Sequence, residues 1–340
     1  MTTLRPVEIV GGGLAGLSLG LALRRAHVPV TLIEAGEYPR HRVCGEFIAG
    51  LTADTRARLQ LDPFLTDAAW NEEVTWFAAE RPVRRQRLPS PAAGLSRHRL
   101  DASLADAFVA AGGELRTGTR CPQQADAPGR LFATGRRRAA AGWIGLKIHA
   151  ADLPLDGDLE VHLGRRAYVG LARIEHGQTN ICGLFPRHAV SARGADLLLG
   201  YLRAIGLTRL ATRLARADLD ANSFCAVAAV GFDRRIDAGP EVRLGDTCAM
   251  IPPFTGHGMA MAFQSAESAL DPLIAFARGG QEWPETRARI HEALRQRFRL
   301  RLASAHALHP FLLEPRRQRW LTIFNRARLL PLRPLYAVLH

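Results

Sequence analysis

The chain has 340 residues, 47% hydrophobic and 23% charged, an ordinary globular composition for about two domains that excludes disordered, collagen-like and coiled-coil chains. Its net charge of +13 rests almost wholly on arginine, Lys147 being the single lysine, and no module of interleaved stacking aromatics accompanies it, so nucleic acid is not an expected partner. Five scattered cysteines without a Cys-x-x-Cys pair argue against a disulfide framework and a zinc site, so no metal is expected; without a signal segment or an apolar run near 20 residues, a cytoplasmic protein is predicted.

In chain order, Val7–Val10 reads as a buried strand, Gly11-Gly12-Gly13-Leu14-Ala15-Gly16 as a turn, Leu17–Arg25 as a helix and Val28–Ile33 as a second strand closed by Glu34. Both strands are β-branched without strict alternation, as a parallel sheet covered on both faces requires. Val74–Phe77 is an aromatic strand candidate followed by a Pro/Arg-rich stretch through Pro91, and a helix over Leu100–Ala111 ends at Gly112-Gly113. Several strands lie between Trp143 and Phe185, with turns at Asp156-Gly157 and His176-Gly177. Residues 195–217 have helical periodicity, 241–245 form a last strand, and helices return over His257–Arg278, Glu285–Leu308 and Arg316–Leu330, punctuated by Pro310 and Pro315.

Gly11-x-Gly13-x-x-Gly16 lies after a strand and before a helix, the context of a dinucleotide site, and Glu34 follows Gly16 at the spacing of a ribose-binding acid. Gly11 permits the tight turn, Gly13 lets a pyrophosphate approach the backbone, and Gly16 lets helix and strand pack closely. The N–H groups of the helix start, at Leu14, Ala15 and Gly16, are then available to phosphates.

A second glycine segment runs Gly245-Asp246-Thr247-Cys248-Ala249-Met250-Ile251-Pro252-Pro253-Phe254-Thr255-Gly256-His257-Gly258-Met259, between a strand and a helix. With it the sequence resembles the FAD-dependent oxidoreductases of the aromatic-hydroxylase and geranylgeranyl-reductase superfamily, whose second fingerprint is Gly-Asp, a short loop, Pro and Gly-x-Gly at a helix start. The resemblance implies that Asp246 bonds the ribityl chain of FAD and that Gly256, Gly258 and Met259 lie beside the pyrimidine edge of the isoalloxazine. Arg40-His41-Arg42-Val43-Cys44-Gly45-Glu46 resembles the Cys-Gly loop of reductase-like members, implying that Arg42 reaches the phosphates or ribityl chain. Ser96-Arg97-His98-Arg99-Leu100-Asp101 resembles the Arg-x-x-Leu-Asp helix start, implying that Arg97 contacts flavin. Thr134 stands where many members have an acid that also serves pyridine nucleotides, so NAD(P)H is expected only as a transient electron donor.

The implied fold is α/β, a GR2-type FAD-binding Rossmann-like domain interleaved with an antiparallel β-sheet substrate domain and a helical C-terminal cap. The divisions are 1–60, 95–140 and 236–280 for FAD binding, 61–94 and 141–235 for substrate, and 281–340 as a basic helical region. The implied activity is hydroxylation of an aromatic or polyketide-like small molecule through a flavin C4a-hydroperoxide. The alternatives are reduction of carbon–carbon double bonds in a long apolar, isoprenoid-like substrate, and a flavin-binding subunit without turnover. Halogenation ranks last, because Trp70–Phe77 lacks the Trp-x-Trp-x-Ile-Pro segment of flavin halogenases.

On a strand over Trp143–His149, alternation places Trp143, Gly145, Lys147 and His149 on one face and Ile144, Leu146 and Ile148 on the core face. Lys147, the one lysine retained, and His149 are catalytic candidates, weighed against a chance survivor on a solvated face. His257 is the third candidate, weighed against a surface turn residue. Cys44 is a candidate for the flavin pocket, and Trp70, Trp76, Phe77, Trp143 and Phe224 for the wall of a substrate cavity. In the C-terminal region Ile290, Leu294, Phe298 and Leu302 form one apolar stripe and Trp320, Ile323, Phe324 and Ala327 another, edged by Arg316, Arg319, Arg326 and Arg328. They read either as a cap on the FAD domain or as a surface for peripheral membrane or carrier-protein contact.

Overall fold

The computed structural model describes residues 4–121, 127–136, 142–233, 235–236, 239–327 and 329. Of the residues named above, Arg328, Leu330 and the rest of the C-terminal region to 340 lie outside the described residues, as do residues 1–3, 122–126, 137–141, 234 and 237–238 of the three divisions.

The chain opens β1 (Val7–Val10), α1 (Leu14–Arg25), β2 (Val30–Ile33), β3 (Phe47–Ile48), α2 (Ala53–Leu59), β4 (Ala69–Ala78) and β5 (Arg81–Gly94). It continues α3 (Arg97–Ala110), β6 (Glu114–Arg116), β7 (Arg130–Phe132), β8 (Trp143–Ala151), β9 (Leu159–Gly164), β10 (Ala167–Arg173) and β11 (Gln178–Pro186). Then follow α4 (Gly194–Ala204), α5 (Thr208–Leu214), β12 (Asp218–Val230), β13 (Val242–Arg243), α6 (Gly258–Ala277), α7 (Trp283–Leu313) and α8 (Pro315–Arg326).

Five strands make a sheet in the order β13-β7-β1-β2-β6, every neighbouring pair parallel. Helices α1, α3, α6 and α7 share one apolar core with it, through residues such as Ile9, Leu17, Leu104, Phe263 and Leu294. The Rossmann-like reading of the first strands follows from this: apart from the half-buried Glu8 and Thr31, every residue of β1 and β2 is buried, as strands covered on both faces require.

The second sheet has eight strands in the order β12-β8-β11-β10-β9-β4-β5-β3, antiparallel throughout except for one parallel junction between β4 and β9. One of its faces carries Leu146, Ile148, Ile181 and Phe185 and is covered by Leu198, Leu202, Leu210 and Leu214 of α4 and α5. The opposite face, with Lys147 and His149, is turned to the glycine motifs through the 41–46 loop, as the contacts below show.

Several boundaries differ from the sequence reading, each for a local reason. Helix α1 begins at Leu14, three residues before Leu17, because the extended backbone of Gly13 ends there without needing a side-chain cap. The 195–217 segment is two helices, broken where Gly206 takes φ +86°. The Pro/Arg-rich stretch is strand: between Arg87 and Ala92, β5 bulges away from β4, so Pro89 and Pro91 have no ladder bond to donate. Pro310 does not end a helix; α7 runs one more turn to Leu313, held by burial of His309 and Leu312.

Candidate functional site

Both glycine segments lie at the carboxyl ends of the parallel strands. Gly11 follows β1 at φ +114°, and a Cβ there would stand 2.3 Å from the Ala133 carbonyl oxygen. A Cβ on Gly16 would stand 2.0 Å from the Gly11 carbonyl oxygen, whereas one on Gly13 would meet nothing nearer than the Arg97 guanidinium at 3.7 Å. The turn is thus tight at Gly11, packed at Gly16 and open at Gly13, the division of labour that a pyrophosphate needs.

Glu34, at the end of β2, accepts from the Gly12 N–H at 2.7 Å, the Gly36 N–H at 2.9 Å and Arg40 Nη2 at 2.6 Å. Burial pushes its carboxyl pKa up, but Arg40 and the two amides outweigh it, and the group stays ionised below the ordinary range. Behind the open turn, Arg97 grips Asp101 with two bonds of 2.7 and 2.8 Å. Arg42 reaches Asp101 at 3.2 Å and Glu34 at 3.8 Å. Ser96 caps α3 through the Arg99 N–H, which fixes Arg97 at the first helical position.

The second segment arrives from β13. Thr247 accepts from the Gly135 N–H at 2.8 Å and donates to the Gly135 carbonyl at 3.1 Å, clamping the 133–136 segment beside Asp246. Burial raises the Asp246 carboxyl pKa against the pull of Arg97. Gly256, at φ +71°, bonds its carbonyl to the Ala49 N–H at 3.1 Å, and a Cβ there would strike Phe47 at 2.6 Å. Gly258 opens α6 with no atom within 4 Å of an added Cβ, and Met259 behind it is buried. That leaves a helix N-terminus facing open space, where anionic character in a ligand is favoured.

His257 is not a surface turn residue: it is 1% exposed, at the N-cap of α6. The solvated-face reading of Lys147 is likewise overturned, since the side chain is fully buried. Its cause is a charge cluster built from three separated segments. Lys147 Nζ stands 3.2 Å from Glu46 Oε1 and donates to His41 Nδ1 at 3.1 Å; His149 Nε2 donates to Glu46 Oε2 at 2.5 Å; and the Arg97 N–H donates to Glu46 Oε1 at 3.0 Å. Burial pushes the Glu46 pKa up, yet His149 and Lys147 outweigh it, so Glu46 is held ionised.

His41 stacks on His98 at 4.3 Å, and burial plus the Lys147 charge press its pKa down to about 4. A neutral His41 accepting at Nδ1 carries its proton on Nε2. Glu46 occupies the left-handed region at φ 50°, a strained backbone for a glutamate that its three side-chain partners hold in place. Cys44 and Cys182 are free thiols beside this cluster, and burial pushes both pKa values up.

Sequence reasoning missed Glu46, His41, His98 and Asp101 as site residues, although all four stand inside the quoted segments. Their partners are remote in sequence, which periodicity does not reveal. The proposed aromatic wall does not assemble. Trp70 is exposed, Phe77 stacks on His162, and Phe224 packs against the α4/α5 core; only Trp76 and Trp143 join the apolar cluster on the glycine-motif side. Its other aromatic members are Tyr168, Phe232 and Phe254.

A family described as an NAD(P)-binding Rossmann-like domain matches residues 9–62. No curated protein is similar in sequence. Among solved structures, HpxO of Klebsiella pneumoniae, complexed with FAD and uric acid, is 16% identical with a TM-score of 0.75 over 98% of this chain and 96% of that one. PqsL of Pseudomonas aeruginosa, in complex with 2-aminobenzoylacetate, is 18% identical with a TM-score of 0.70 over 94% and 99%. The p-nitrophenol 4-monooxygenase PnpA of Pseudomonas putida is 14% identical with a TM-score of 0.77 over 100% and 97%. The chain has the fold of these proteins along its whole length.

Proposed function

We propose that the chain is an FAD-dependent monooxygenase acting on an aromatic small molecule. The observation that carries this reading is the convergence of the Gly11–Gly16 turn, the Arg97–Asp101 pair and the Gly245–Met259 segment at one end of the parallel sheet. The fit is physical: an open Gly13, an open Gly258 and the buried Asp246 leave a cradle bordered by two helix N-termini, suited to a phosphate-bearing, anion-accepting cofactor. Similarity of fold to proteins crystallised with FAD or named for aromatic substrates supports the same reading.

In this reading Leu14, Ala15 and Gly16 offer N–H groups to the pyrophosphate, Glu34 faces the ribose side, Arg42 and Arg97 face the phosphates and flavin, and Asp246 takes the ribityl chain. Gly256, Gly258 and Met259 flank the ring. FAD, when bound, supplies the electron transfer and the oxygen activation. NAD(P)H is a transient donor, without a second glycine fingerprint of its own. Glu46 holds Lys147 and His149 in fixed orientation, and their N–H groups supply positive potential and donors on the substrate side. His257 closes the floor at the start of α6.

The test is rapid mixing of the purified, reduced protein with oxygenated buffer. A transient absorbance between reduced and reoxidised flavin, with or without added aromatic compound, marks a monooxygenase. Single-phase reoxidation under every condition points to the double-bond reductase, and a protein that holds flavin without being reduced by NAD(P)H points to the carrier subunit. Protein purified and refilled without any flavin spectrum sinks the proposal. Peripheral contact with an anionic membrane belongs to the same reading, supported by the exposed Trp320, Ile323 and Phe324 of α8 among arginines.

A further inference from the structure

The face of the eight-stranded sheet that bears Lys147 also bears buried polar atoms that the fold leaves without partners. Tyr168 on β10 is 6% exposed and its hydroxyl has no hydrogen-bond partner. The Phe254 N–H acts on the hydroxyl oxygen, and the hydroxyl proton has no acceptor. Burial raises the Tyr168 pKa well above 10, so it remains a donor at any physiological pH.

Beside it, His309 of α7 is 7% exposed with Nε2 unpartnered, and burial presses its pKa to about 4, leaving a neutral ring. His309 lies 5.8 Å from Phe254 in parallel planes, 5.0 Å from Phe232 and 6.0 Å from Tyr168 edge-on. These rings give the polar pair an aromatic surround.

The third unpartnered group is on Asn180 of β11, 1% exposed. Its Nδ2 donates to the Cys44 carbonyl at 3.0 Å, which fixes the amide, and its Oδ1 accepts nothing. Strand pairing sets Tyr168 opposite Leu184 and Gly170 opposite Cys182, with Asn180 opposite Ala172. Gly170 therefore lies between Tyr168 and Asn180 on the same face. A Cβ on Gly170 would meet only the Cys182 carbonyl oxygen, at 3.9 Å, so the floor between the two polar residues is open.

A donor at one end, an acceptor at the other and a flat, open floor between them describe a ligand-binding groove. Buried polar groups left unpaired are costly to a fold, a cost a ligand removes by pairing with them. Tyr168 and Asn180 are four residues apart along the strand direction, a span on the order of 14 Å, more than one ring fills.

We infer that this groove, resting on the reading of an aromatic substrate, selects a flat, uncharged, polyphenolic molecule of about two fused rings. One phenolic oxygen takes the Tyr168 proton beside His309, and a second hydroxyl donates to Asn180 Oδ1. Among the described residues, the groups that act on the Tyr168 hydroxyl are Phe254 and Cys182, neither of them a cation, which disfavours a carboxylate there. Phe254 belongs to the segment that ends at Gly256 and Gly258, so the Tyr168 end of the groove adjoins the flavin cradle. Tyr168, His309 and Asn180 are specificity residues in this assignment.

The test uses equilibrium dialysis of the purified protein with naphthalene, 2-naphthol, 2,7-dihydroxynaphthalene and 2-naphthoate. Affinity should rise about tenfold with each hydroxyl, and 2-naphthoate should bind no better than naphthalene. Tyr168→Phe should erase one of the two steps, Asn180→Ala the other, and naphthalene should bind both variants as it binds the parent. His309→Phe, which keeps an aromatic ring there, should weaken 2-naphthol and 2,7-dihydroxynaphthalene and leave naphthalene unchanged. Equal affinity across the four probes, or steps that survive Tyr168→Phe and Asn180→Ala, would overturn the assignment. The visible flavin spectrum is read separately: a colourless protein that shows both hydroxyl steps keeps this groove and ends the flavin reading, while a yellow protein without the steps does the reverse.

Discussion

Glu46 shows how much one residue carries here. It is fully buried and meets Lys147, His149 and the Arg97 amide at once. Removing one partner of a buried ion pair costs roughly 3–5 kcal/mol because the other charge is left uncompensated. Glu46→Gln should therefore lower the stability of the fold by about that much in a denaturant titration, and should abolish turnover even at temperatures where the protein remains folded. Lys147→Arg keeps the charge but not the compact ammonium, and its larger fork has no room in a fully buried site. Its expected outcome is a loss of kcat with FAD still bound; undiminished turnover would remove Lys147 from the site. Gly16→Ala puts a Cβ 2.0 Å from the Gly11 carbonyl, so the purified variant should come off the column without yellow colour. At this scale the sequence was readable where function is written in backbone chemistry: Gly11, Gly13 and Gly16 need only their immediate neighbours to be understood. Glu46 was not readable, because nothing within a few residues hints at Lys147, 101 positions away.

Among the elements, the C-terminal helices divide their apolar residues. The α7 stripe of Ile290, Leu294, Phe298 and Leu302 is buried in the core shared with α1 and α6, as a cap requires. Phe298→Ala should cost about 3–5 kcal/mol in the same titration, the usual loss for a fully buried phenylalanine. On α8, by contrast, Trp320 is 57% and Ile323 53% exposed. Trp320→Ala should change stability by no more than about 0.5 kcal/mol, while reducing sedimentation with anionic vesicles; vesicle binding that is absent in the parent retires the membrane contact. Element type was legible from period and turn chemistry for α1, α3 and α6, whose ends carry glycine or a capping serine. Strand β12 was not legible, since Asp218–Val230 mixes polar and small residues and pairs through an irregular register with β8. A strand of that kind is defined by its partner rather than by its own alternation.

For the whole molecule, charge and burial set an acid limit. His41 and His309 titrate at about 4 in the fold against an ordinary 6.5. Between those values the unfolded chain takes up protons that the folded chain refuses, so stability declines as pH falls from about 6.5 to 4 and is insensitive to these two groups above that range. Melting temperatures measured at steps from pH 7.5 to 4.5 should fall steadily, and His309→Phe should flatten part of the slope. An unchanged melting temperature across that range would contradict the surroundings that hold both rings neutral. The sequence disclosed the presence of a parallel and a largely antiparallel sheet, yet not the face along which they meet, because that face is lined by polar residues whose pairing only the assembled fold defines.

The cluster at Glu46 also makes each sheet conditional on the other. Glu46, on the loop leading to β3, and Lys147 on β8 belong to the eight-stranded sheet, while Arg97 belongs to α3 in the core of the five-stranded one, so separating the sheets takes the Arg97 N–H from the buried carboxylate and opens the charge cluster. A buried ion that loses a bonding partner is costly. Partial opening is therefore penalised, and the 340-residue chain should melt as a single cooperative unit in calorimetry, without the intermediate that two loosely joined lobes would show. Two resolved transitions in Glu46→Gln, where the parent gives one, would identify this buried charge as the lock between them.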